Sequence, residues 1–128
     1  PRDKGWFNLR PNAVHSLAYS PDGRWLAFSL RSDEAFVVDL HQPQPRPVRL
    51  EGVSLPHHGS LIFNTTGQTL LWWSREQALY WEVGTWKLLH REQPREHLLQ
   101  VHADPLGGFE LAARGYLYAV DGRGQLLR

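Results

Sequence analysis

The feature that most constrains this chain is a repeated unit of short apolar runs cut by turn residues. "SPDGRWLAFS" at 20–29 is echoed by "NTTGQTLLWW" at 64–73, with Gly23 and Gly67 44 residues apart. "PLGGFELAA" at 105–113 is a third copy, with Pro105 set against Pro21. Apolar–acid pairs follow at Val38–Asp39, Trp81–Glu82 and Val120–Asp121, in steps of 43 and 39 residues. "WLAF", "LLWW", "AFVV" and "ALYW" do not alternate, so both faces of the pleat are apolar. A sheet with one wet face would alternate. Trp72 and Trp73, adjacent on one strand, point to opposite faces and are both expected to be buried.

A period of about 40 residues with both faces covered is that of propeller blades. The fold class is therefore all-β: three four-stranded antiparallel blades within one domain spanning 1–128. The blades occupy 14–50, 59–92 and 97–128, and "QLLR" (125–128) is the last strand of the third. "GWFNLR" (5–10) reads as the outer strand of a preceding blade. Asp22–Gly23, Thr66–Gly67 and Gly107–Gly108 supply the positive φ that tight hairpins need. "HQPQPRP" (41–47) holds three prolines and suits a surface link. No window of a dozen residues carries a helical stripe.

With "HSLAYSPDGRWLAFS…AFVVDL" and "LIFNTTGQTLLWWS…ALYWEVGTWKLL" in hand, the chain resembles the WD-repeat propeller family; its turns are also similar to Tol-type periplasmic propeller repeats. The resemblance implies a protein- or peptide-binding scaffold with no enzymatic activity and no cofactor. The alternative is the propeller portion of a larger enzyme, such as a hydrolase with its catalytic domain elsewhere. Gly-His is missing before the first strand of repeat one, and the Trp-Asp signature is reduced to Trp81–Glu82. The family's buried hydrogen-bond set therefore does not carry over as a unit. Asp39, Glu82 and Asp121 alone match a motif position, and they read as structural.

Three blades do not close a ring, since propellers have about four to eight. A blade footprint is roughly 350 Å² from strand spacing and rise. Two open end faces would then expose about 700 Å², more than the largest patch of a typical monomer. Further blades from a longer chain, or self-association, are expected to cover them.

A net charge of +1 gives no reason to expect nucleic acid as partner. No apolar stretch reaches the length of a membrane-spanning helix, and the first residues lack an apolar signal core. With no cysteine, disulfides and thiolate chemistry are excluded, and a cytoplasmic setting is expected. The seven histidines show no metal-ligand spacing. No Gly-x-Ser-x-Gly elbow or phosphate-cradling loop is present.

One pattern points to a binding surface. Arg31, Arg75 and Arg114 each end the second strand of a repeat, in "FSLR", "WWSR" and "LAAR". Equivalent tips would share a face with the loops between blades, including "SLPHH" (54–58) with His57 and His58, and "EQPREH" (92–97). Arginines gathered there suit carboxylates or phosphates. The partner expected on this face is a protein or peptide, an acidic one fitting best.

Overall fold

A computed structural model describes residues 14–31, 34–53 and 59–127, and every regular element among them is a β-strand. The first sheet runs β1 (Val14–Tyr19), β2 (Trp25–Leu30), β3 (Ala35–Asp39) and β4 (Val48–Arg49), antiparallel and in chain order. The second repeats this with β5 (Ser60–Phe63), β6 (Thr69–Trp73), β7 (Ala78–Glu82) and β8 (Leu88–Glu92). The third has β9 (Leu98–Ala103), β10 (Phe109–Ala113) and β11 (Tyr116–Val120). β1 packs beside β5 and β5 beside β9, so the first strand of each sheet is innermost. The expected strand at 5–10 lies outside the described residues.

The outermost strands are the weakest. β4 is two residues long because Pro45 and Pro47, just before it, have no N–H to give a ladder. In the third sheet the fourth position is held by one bridge, Val120 with Leu126, and by the Leu127 N–H donating to the Ala119 carbonyl at 2.9 Å. The turn through Gly122 and Gly124 leaves only 125–127 to pair there.

Each seam is apolar because each strand feeds both its neighbours. Leu70 and Trp72 of β6, with Leu79 and Trp81 of β7, pack against Ala27, Ala35 and Val37 of blade 1. Leu71, Ala78 and Tyr80 turn the other way, onto Leu98, Phe109, Leu111 and Val120 of blade 3. Trp72 is fully buried. Trp73, expected to be buried, is half-buried at the edge of the second seam. Gly59 has no freedom to be another residue: a Cβ there would stand 2.0 Å from the Trp72 indole.

The third repeat is out of step with the alignment of Pro105 on Pro21. Ser20 N–H donates to Trp25 O, and Asn64 N–H to Thr69 O, each across four intervening residues. In blade 3 Asp104 N–H donates to Gly108 O, a turn one residue shorter. Such a slip would turn every side chain over if the strand were aligned from its start. Leu111, not Ala112, thus takes the place of Trp72 and faces blade 2. Gly108 permits the short turn, since a Cβ there would lie 2.1 Å from the Val120 carbonyl oxygen.

The end faces also differ from expectation. On the blade 1 face turned away from blade 2, Phe28, Leu30 and Val38 are buried. Its inner strand still shows Leu17 and Tyr19. The open face is that of blade 3, where the register places His102, Glu110, Ala112, Ala119 and Leu117. Leu117 there is 71% exposed. Among the described residues, blade 3 therefore presents the more open end face.

Candidate binding face

Arg31, Arg75 and Arg114 are each the first residue of the hairpin joining the second and third strands of a sheet. Leu30 N–H donates to Glu34 O at 2.8 Å, Ser74 N–H to Gln77 O at 2.9 Å, and Ala113 pairs with Tyr116. The three arginines follow these last paired residues, and all are exposed. They stand at one end of the sheets because the hairpins are equivalent in topology.

Two of these tips are tied to one connector. The Leu98 N–H donates to the Arg75 carbonyl at 2.8 Å, and the Arg114 N–H to the His97 carbonyl at 3.0 Å. His97 Nε2 lies 3.7 Å from the Glu76 carboxylate. The segment before β9 is thereby laid between the blade 2 and blade 3 tips. A cavity of about 420 Å³ opens there, lined by Arg95, Glu96, Arg114, Gly115 and Tyr116. Among the described residues, no ion pair engages Arg31, Arg75, Arg95 or Arg114. Their guanidinium groups are available to a partner.

The structure brings Arg75 and Arg114 onto the same connector; Arg31 is related to them by topology alone. His57 and His58, with the rest of 54–58, lie outside the described residues. Arg95 and Tyr116 were not singled out by sequence reasoning. Arg95 sits within the expected loop segment 92–97, so position was legible and its convergence with Arg114 was not.

Beyond Tyr116 a second cavity of about 430 Å³ continues along the outer seam. It is lined by His90, Pro94, Arg95, Tyr116, Tyr118 and Leu126, among others. Tyr116 and Tyr118 stack at 5.7 Å. The Tyr118 hydroxyl donates to Glu92 Oε2 at 2.7 Å, while Oε1 is shut away from solvent. Burial first, then the hydrogen bond to Glu92 and its charge, raise the Tyr118 pKa far above the usual phenol range, so it stays a donor.

The motif acids sit at the other end of the sheets and cap turns. Asp39 takes both arms of the Arg24 guanidinium, at 3.1 and 3.0 Å, and the His41 N–H at 3.0 Å. Arg24 chiefly holds its pKa down to about 2. Asp121 Oδ1 accepts from the Arg123 and Gln125 N–H groups, and Glu82 accepts from the Thr85 hydroxyl. At this end Arg24 lies over Trp25, 4.8 Å from the ring centre, and Trp25 meets Trp86 edge-on at 5.1 Å. Trp86 has φ of 60°, a left-handed backbone rarely taken by a bulky residue.

No family model matches the sequence, and no curated protein does. Solved structures do match in fold. Sqt1 of Saccharomyces cerevisiae aligns with a TM-score of 0.73 at 17% identity, over 94% of this chain and 35% of its own. The RRP9 WD40 repeats align at 0.74 and 9% identity, over 94% and 39%. The Cps50 (Swd1) β-propeller domain of Myceliophteria thermophila aligns at 0.64 and 15%, over 85% and 38%. The chain thus spans little more than a third of the propellers it resembles.

Proposed function

We propose that this chain, three blades of a WD-repeat-like β-propeller, is a non-enzymatic scaffold that holds an acidic protein or peptide segment on its arginine-bearing face. The observation that carries this reading is the repetition: Arg31, Arg75 and Arg114 occupy equivalent hairpin tips, exposed and without an ion pair among the described residues. A structural arginine would be expected to resemble Arg24, which is spent on Asp39. Likeness in fold does not by itself set function, so the argument rests on these side chains. No particular observation favours the larger-enzyme alternative. The open face of blade 3 is read as the place where further blades, or a second copy, continue the sheet stack.

The test compares two triple variants of the full-length protein in co-purification of its bound partner. Arg31→Gln, Arg75→Gln and Arg114→Gln together should leave folding nearly unchanged, because exposed charges contribute little to stability. They should weaken partner binding more than Arg46→Gln, Arg49→Gln and Arg91→Gln, which remove the same charge from the outer strands and the link before β4. Binding should also fall as salt shortens the screening length below ~8–10 Å. Equal losses from both triples would reduce the effect to general charge, and no loss from the first would refute the proposal.

A further inference from the structure

Two cavities, about 420 and 430 Å³, meet at the blade 2–blade 3 seam and share Arg95 and Tyr116 in their walls. The first is basic: Arg95 comes from the connector, Arg114 from the hairpin tip, against the single carboxylate of Glu96. The second has a different character beyond Tyr116. Pro94, Tyr118, Val120 and Leu126 supply apolar wall. Its one carboxylate is turned inward, with Glu92 Oε2 taken by Tyr118 and Oε1 closed to solvent without a partner. Leu126 is 72% exposed and Tyr116 38%, so the wall has apolar surface still to be covered. Arg31 and Arg75 line neither cavity.

We infer that the partner binds along this seam as an extended segment, its acidic side chain in the cavity lined by Arg95 and Arg114 and an apolar side chain, two residues away, beyond Tyr116. This rests on the acidic-partner reading above and narrows it. An extended chain puts residues i and i+2 on one side, about 6.5–7 Å apart, a step suited to adjoining cavities. Two guanidiniums from separate loops provide the planar donors a carboxylate takes in pairs. The stacked phenols provide a rigid wall for an aliphatic side chain. Arg95, which does not belong to the repeated arginine series, becomes a specificity determinant, while Arg31 and Arg75 act only through the general field.

Ligand-observed NMR titrations of the full-length protein test this with three capped peptides. Acetyl-Gly-Glu-Gly-Leu-Gly-amide carries both groups; a second peptide has Gln for Glu, and a third has Gly for Leu. The first should bind about tenfold more tightly than either of the others, each lost group costing roughly one decade. Arg95→Gln and Arg114→Gln should each weaken the first peptide about tenfold and leave the Gln peptide unchanged. Tyr116→Ala should bring the first peptide down to the level of the third. The Arg31→Gln, Arg75→Gln pair should change nothing beyond about twofold, the scale of a screened charge. The arginines are exposed hairpin-tip and connector positions and Tyr116 is the exposed first residue of β11, and circular dichroism of each variant checks the fold. A loss from the Arg31→Gln, Arg75→Gln pair as large as that from Arg95→Gln or Arg114→Gln would overturn the seam site and leave the acidic-partner reading standing. Equal binding of the Glu and Gln peptides, or none by either, would remove both.

Discussion

The two seams of the molecule are built from equivalent positions and come out differently. Between blades 1 and 2, Trp25 of one blade meets Trp86 of the next, and Arg24 covers Trp25 from outside. The same position in blade 2 is Thr69, since Trp25 pairs with Asp39 as Thr69 pairs with Glu82. The Thr69 hydroxyl donates to the Gly122 carbonyl of blade 3. A groove of about 560 Å³ remains there, lined by Gln68, Thr69, Glu82, Thr85 and Arg123 among others. The contrast recurs deeper in. The first seam is filled by Trp72 and Trp81, fully buried. The second meets ring to ring, Tyr80 with Phe109 at 5.8 Å, and carries the Glu92–Tyr118 pair. Each seam buries one polar atom without a partner, Trp72 Nε1 in the first and the Tyr80 hydroxyl in the second. The first seam is closed by tryptophans of blade 2 lying on the small Ala27, Ala35 and Val37, with Trp25 against Trp86 at its rim; the second has Thr69 at that rim position and keeps a groove there. The first seam couples its two blades through Trp25 and Trp86, and the second borders the proposed recognition site.

The largest effect should come from the first seam. Trp72→Ala removes a fully buried ring that rests on Gly59 and should cost ~3–5 kcal/mol. Urea unfolding followed by circular dichroism measures it. A loss under about 1 kcal/mol, the scale of a surface substitution, would show that the first seam is no better packed than the second.

An intermediate effect should come from the second seam. Tyr118→Phe keeps the ring and takes the donor from Glu92 Oε2, leaving the carboxylate without its hydrogen bond. The expected loss is about 1–3 kcal/mol, the cost of an unsatisfied buried acceptor. The same unfolding experiment reads it, and a loss equal to that of Trp72→Ala would erase the distinction between the seams.

The smallest effect is one of titration. Asp39 has a folded pKa of about 2 against an ordinary 3.8, with the Arg24 hydrogen bond the main cause. A group lowered on folding adds stability that is complete above 3.8 and is lost as pH falls through about 2. Arg24→Ala should move the Asp39 midpoint up toward 3.8 in a carboxyl-carbon NMR titration. An unmoved midpoint would mean that the backbone N–H of His41 and the Gln42 amide, not the lid over the first seam, hold the charge.

Much of this was legible in the residues. The blades could be read because two-sided apolar runs and turn glycines are local features, and the arginine series because each lies one step past a strand end. Asp39, Glu82 and Asp121 were readable for the same reason, and they cap turns. The register of the third repeat was not. Pro105 resembles Pro21 in type, but the turn after it is one residue shorter, and only the Asp104–Gly108 hydrogen bond reveals this. The Trp25–Trp86 contact and the convergence of Arg95 with Arg114 join residues far apart in the chain. No local pattern encodes such meetings. Blade 1's buried outer face was likewise hidden, because blade counting assumes that every end face is bare.

Trp86 has a consequence for how the blades come apart. Stacked repeats behave as a one-dimensional chain, each with an intrinsic stability and a coupling to its neighbour. A left-handed tryptophan in the turn after β7 subtracts from the intrinsic stability of blade 2. Its contact with Trp25 adds to the coupling between blades 1 and 2. Free energy is thereby moved from within a repeat to the boundary between repeats, which makes that boundary more cooperative. The Thr69–Gly122 boundary has no such transfer. On gradual unfolding blade 3 should therefore detach first, and blades 1 and 2 should melt as a single unit.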